Sequence, residues 1–90
     1  MRLIIRSLVL EDIFGGESKI EVHGSTLKAA IDDLEAKYGN VKRRLLNQDG
    51  EIHRYINIYH NGKDVRLMKN LETPLEDGDE LSIFTVVGGG

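Results

Sequence analysis

The 90-residue chain is 40% apolar and 30% charged, with a net charge of -3 and no cysteine. One small domain fits that length and balance, and a lack of thiols excludes a disulfide framework, a thiolate metal site and a cysteine nucleophile. The acidic balance argues against nucleic acid as a ligand, because phosphate recognition needs a basic footprint, and no apolar run approaches the ~20 residues of a membrane span.

Residues 2–10, Arg-Leu-Ile-Ile-Arg-Ser-Leu-Val-Leu, are rich in branched apolar side chains and predict a first strand. Leu3, Ile5 and Val9 fall on one face; Ile4, Leu8 and Leu10 fall on the other. Two apolar faces indicate a central strand covered at least in part on both sides. Phe14-Gly15-Gly16 marks a turn within Glu11 to Glu17. Alternation over Ser18 to His23, with Ile20 and Val22 inward, predicts a second strand in a hairpin with the first.

Gly24-Ser25-Thr26 signals a helix start with a hydroxyl cap at Ser25 or Thr26. Leu27, Ala30, Ile31, Leu34 and Tyr38 follow at helical spacing, and most charged residues lie opposite them. Gly39 supplies the positive-φ residue that closes helices. Val41 to Leu46 suits a short helical turn. A third strand is expected over Ile52 to His60, followed by the tight-turn dipeptide Asn61-Gly62 and a short edge strand over Lys63 to Leu67. Thr73-Pro74 ends that segment. After the turn Glu76-Asp77-Gly78-Asp79, a last strand spans Glu80 to Val87, with Leu81 and Ile83 on one face and Phe84 and Val86 on the other. The order β-β-α-β-β-β describes one sheet packed on one helix, an α+β arrangement, with the last strand beside the first. The domain reads as residues 1–87, and residues 88–90 read as a flexible glycine tail.

Directly after the last strand come Gly88, Gly89 and Gly90. Without Cβ atoms they can thread a slot too narrow for other residues, and extended they reach roughly 10 Å. That suits delivery of a terminal carboxylate into another protein's active site. The segment Tyr55-Ile56-Asn57-Ile58-Tyr59-His60-Asn61-Gly62, then Leu71-Glu72-Thr73-Pro74-Leu75-Glu76-Asp77-Gly78-Asp79-Glu80-Leu81-Ser82-Ile83-Phe84, together with the diglycine end, resembles the ubiquitin-like sulfur carrier family. That family includes the molybdopterin synthase small subunit, the cysteine-pathway carrier, the thiamine sulfur carrier and the archaeal small modifiers. Thr85-Val86-Val87 stands where synthase-type members often carry proline.

The resemblance implies a β-grasp fold, a mixed sheet on one main helix. It also implies a chemistry in which an E1-like adenylating enzyme, using ATP and magnesium, activates the Gly90 carboxylate. A sulfur donor then displaces AMP and leaves a thiocarboxylate. On this view the chain is a carrier and not an enzyme, binds no cofactor itself, and is cytoplasmic. Its partners are the activating enzyme and a sulfur-accepting synthase subunit, with molybdopterin assembly as the first choice of pathway. Two alternatives stay open: a modifier joined through the same end to target-protein lysines, and an interaction module with an inert tail. Gly88 and Gly89 would thread the partner's channel, and Phe84, Val86 and Val87 would touch its surface, unless Phe84 is covered by a loop or lies in the core. His23, His53 and His60 lie on different elements without metal-ligand spacing. Asp77 and Asp79 read as turn residues, and Arg43-Arg44 as a solvated pair.

Overall fold

A computed structural model describes residues 1–85 of the chain. Its elements are β1 (Arg2–Ser7), α1 (Glu11–Phe14), β2 (Lys19–Glu21), α2 (Leu27–Tyr38), α3 (Lys42–Leu45), β3 (Ile56–His60), β4 (Lys63–Asp64) and β5 (Glu80–Thr85). Two 3-10 turns, Val65–Leu67 and Asn70–Glu72, lie between β4 and β5. The five strands form one mixed sheet in the order β2-β1-β5-β3-β4. β5 lies parallel to β1, with Ser7 opposite Ile83, and antiparallel to β3, with Ile58 opposite Ile83. The last strand therefore sits beside the first in the middle of the sheet, as its two apolar faces suggest.

The helix α2 packs on one face of this sheet because its Leu27, Ala30, Ile31 and Leu34 project to one side. They meet Leu3, Ile5, Ile20, Ile56, Ile58, Leu81 and Ile83 in a single buried core. Thr26 is the cap: its Oγ1 accepts from the Ala29 N–H at 3.2 Å. At the other end Gly39 has φ +75° and donates to the Glu35 carbonyl at 2.9 Å. The approach to the helix is tight as well. A Cβ on Gly24 would lie 2.5 Å from the Ala29 Cβ, and its φ of +126° excludes most L side chains. Among the described residues no helix is long and apolar enough to cross a membrane.

Three boundaries differ from expectation by three residues or more. β1 ends at Ser7 rather than residue 10, because the Ser7 hydroxyl accepts from the Leu10 N–H at 3.1 Å and turns the chain. Leu10 then drops into the core, Glu11–Phe14 forms a helical turn where a plain turn is expected, and Leu8 is left 82% exposed. Tyr38, expected in the core, is exposed on one side and meets the buried Phe14 edge-on, with centroids 5.3 Å apart. β3 begins at Ile56 and not Ile52, since Ile52 is taken by a bridge to Leu46 and the Ile56 N–H turns back to the His53 carbonyl. β4 is confined to the sheet edge and stops at Asp64, whose carboxylate accepts from the Arg66 N–H at 2.9 Å and starts the first 3-10 turn.

Candidate functional site: the end of the central strand

Along β5 the pleat sends successive side chains to opposite faces. Leu81 and Ile83 are buried against the helix, so Ser82 and Phe84 emerge on the other face. Phe84 is 39% exposed and lies against Tyr59, with ring centroids 5.4 Å apart, beside its cross-strand partner Asn57. Neither core burial nor a covering loop accounts for it. The other predicted site residues, Val86, Val87, Gly88, Gly89 and Gly90, lie outside the described residues.

The start of β5 is held as firmly as its middle. Asp79 Oδ2 is 2.6 Å from His60 Nε2 and 2.8 Å from the Glu76 N–H that donates to it, while Oδ1 accepts from Asn61 Nδ2 at 3.1 Å. Asn61 Oδ1 in turn accepts from the Glu80 N–H at 2.8 Å. Burial alone would raise the Asp79 carboxyl, yet the hydrogen bonds from His60, the Glu76 N–H and Asn61 prevail and hold it below the usual carboxylate range. Asn61 and Gly62 both have positive φ, as the tight turn requires. Asp77 Oδ1 accepts from the Arg2 N–H at 2.6 Å, which ties the same turn to β1. These acids are turn residues with a further duty: they fix where the central strand begins.

The histidines do not converge. His60 belongs to the Asp79 pair, His53 stacks on Tyr55 at 4.7 Å, and the His23 N–H donates to Asp33 at 2.9 Å. Among the described residues no three His, Asp or Glu side chains are grouped to hold a metal ion.

Sequence reasoning missed two features near this strand end. Arg44 is not simply solvated: its guanidinium grips both oxygens of Asp12 at 2.6 and 3.0 Å and also donates to the Val9 carbonyl at 3.1 Å. That contact holds the Leu8–Phe14 segment against α3. Beside β5, where β1 has turned away, a groove of about 470 Å³ opens. Ile5, Leu8, Phe14, Ile83 and Phe84 supply its apolar lining, and Glu11 and Glu17 are exposed at its edge. The one local signal for it is the Ser7 hydroxyl, three residues before Leu10.

The fold that carries this strand is shared with known proteins. The ThiS family model matches residues 9–90. The sulfur carrier protein CysO of Mycobacterium tuberculosis is 40% identical over 84 residues, covering 91% of this chain and 90% of that protein. Small archaeal modifier protein 3 of Haloferax volcanii is 36% identical over 66 residues, covering 73% of this chain and 71% of its own. In structure, the crystal structure of the Amycolatopsis orientalis BexX/CysO complex contains a chain superposing with a TM-score of 0.82 at 37% identity, covering 98% of this chain and 99% of that one. The family model's match runs through the three glycines, residues 88–90. The chain belongs to the ThiS family of ubiquitin-like sulfur carriers, carriers rather than catalysts.

Proposed function

We propose that the chain carries sulfur as a thiocarboxylate on Gly90. A carboxylate at neutral pH is a poor acyl donor, since its leaving group would be oxide. An E1-like enzyme with ATP and magnesium removes that obstacle. A Gly90 oxygen attacks the α-phosphorus, pyrophosphate leaves, and an acyl adenylate results. A sulfur donor then adds to the carbonyl and expels AMP, leaving a sulfur that is nucleophilic and still a leaving group. The observation that carries this reading is β5 itself: the central strand of the sheet reaches Thr85, and in the sequence Val86-Val87 and the three glycines come next. Gly88, Gly89 and Gly90 bear no side chains. Gly88 and Gly89 give clearance in the enzyme's channel, and Phe84, Val86 and Val87 contact its surface.

For the recipient, we place a cysteine-assembling pathway ahead of molybdopterin synthesis, the first expectation. The support is the 40% identity to CysO and the absence of proline from Thr85-Val86-Val87. The chemistry belongs in the cytoplasm, where ATP is at hand. A second reading, conjugation to lysines through the same carboxylate, is favoured by the likeness to small archaeal modifier protein 3.

Intact mass before and after incubation with ATP, the activating enzyme and sulfide tests the proposal. The expected result is one oxygen replaced by sulfur at Gly90. No change, with an enzyme proven competent on another carrier, would favour the inert-tail module instead. A stable carrier–lysine amide in cell extract would support the second reading.

A further inference from the structure

We propose that a hollow between the segment before β3 and the second 3-10 turn binds a free aliphatic α-amino acid in its zwitterionic form. The inference is independent of the tail chemistry and of the carrier reading. The hollow measures about 400 Å³, a size that small-molecule sites share. Three observations select the ligand.

The first is charge. Arg66, Lys69, Glu51 and Glu72 all line the hollow, yet no ion pair joins any two of them among the described residues. Arg66 gives one N–H to Asn57 Oδ1 at 3.1 Å and another to the His53 carbonyl at 2.8 Å, and both acceptors are neutral. Its guanidinium is therefore held in place with its charge unmatched and N–H donors to spare, and a carboxylate is the group that its fork fits best. An ion of one sign would be drawn to one pair of these side chains and repelled by the other. A molecule that carries both signs gains from both. An α-amino acid does so at neutral pH.

The second is the apolar part of the lining. Ile52 and Leu71 are partly buried and pack against the core, so they offer an aliphatic side chain a surface from which water is excluded. The third is rigidity. Thr73 is fully buried; its hydroxyl donates to the Asn70 carbonyl at 2.7 Å and accepts from the Lys69 N–H at 3.3 Å. Asn70, which also lines the hollow, is thereby kept at φ +50°, uncommon for a residue with a side chain. On the other segment, Ile52 is fixed by its bridge to Leu46. Both segments are set before a ligand arrives, so binding has little ordering left to do.

The test is a titration of the full chain with L-leucine at neutral pH, followed through backbone amide shifts. Saturable shifts are expected at residues 51–52 and 69–72. Leucinamide lacks the carboxylate, 4-methylpentanoate lacks the ammonium group and glycine lacks the side chain. Each should bind roughly tenfold more weakly than leucine. Glu51, Lys69 and Glu72 enter the fold's hydrogen bonds through their main chains. Lys69→Gln and the double variant Glu51→Gln, Glu72→Gln should therefore keep the melting temperature and lose roughly tenfold in leucine affinity. Arg66→Lys should lose as much, because a point charge replaces the fork. Shifts that do not saturate up to the solubility limit of leucine would overturn the proposal. Equal affinity for leucine and for either singly charged analogue would make the hollow a simple ion site and overturn it as well. So would an unchanged affinity in both Lys69→Gln and the double variant. Thiocarboxylate formation at Gly90 is read separately by mass, so none of these results touches the carrier reading.

Discussion

On the helix side of the sheet, Leu3, Ile5, Ile20, Ile56, Ile58, Leu81 and Ile83 are each at most 3% exposed. On the opposite side the same strands present Ile4, Arg6, Asn57, Tyr59, Ser82 and Phe84, none of them fully buried. Both sets are made by one alternating pattern, and the pleat alone separates them. The difference teaches that stability and recognition can be read off alternate letters of one strand. Leu81 and Ile83 hold the fold, whereas Ser82 and Phe84 are left free of that duty. A change on one side should then be felt in unfolding, and a change on the other in partner binding.

The severest trial of that division is Ile58→Ala. A buried side chain is lost from a core that cannot fully close, so urea unfolding should show a deficit of about 2–5 kcal/mol. The folded fraction that remains should be adenylated with an unaltered KM. Next comes Gly24→Ala on the helix side. The contact with Ala29 and the positive φ should together cost about 2 kcal/mol in the same assay, again without a change in KM. Phe84→Ala supplies the opposite case. Its stability should shift by only about 1 kcal/mol, yet the KM for adenylation should rise roughly tenfold. An unfolding loss as large as that of Ile58→Ala would make the open face structural and break the comparison.

The smallest effect concerns the Asp79 pair at the strand's beginning. Its carboxyl is held low in the folded chain, so the unfolded chain takes up the proton first as pH falls. The stabilisation is thus present above the ordinary carboxylate value of about 4 and is lost as pH drops through the lower folded value. Denaturation followed from neutral to acid pH should show a shallower decline for Asp79→Asn than for the unaltered chain. Asp12, Glu21, Asp32, Asp33 and Glu35 are also held low, so the acid decline should lessen and not vanish.

How far the molecule was legible in advance follows the range of the forces involved. Leu27, Ile31 and Leu34 recur at helical spacing and Thr26 caps them, so α2 could be placed from neighbours in sequence. The alternation of Leu81 and Ile83 with Ser82 and Phe84 likewise told which side each would take. Leu8 could not be placed this way. An apolar run continues through it, and only the local bond from Leu10 to the Ser7 hydroxyl, with the end of pairing at Ser7 and Ile83, ends the strand. The Arg44–Asp12 grip and the His60–Asp79 pair join segments far apart in the chain, and no spacing rule announces either. The groove was missed because its walls come from segments far apart in the chain, residues 5–18 and 82–84.

The parallel pairing of β1 with β5 has a consequence for synthesis. The ribosome makes β1 and β3 first, and the strand that fills the gap between them emerges only with residues 80 to 85. Until then β1 and β3 share no neighbour, and the core has no middle, since the contacts that close it are the longest in sequence. A nascent chain halted before Thr85 cannot assemble this sheet and stays open to proteolysis. Folding thus acts as an inspection of length: a copy that survives has been translated at least through β5.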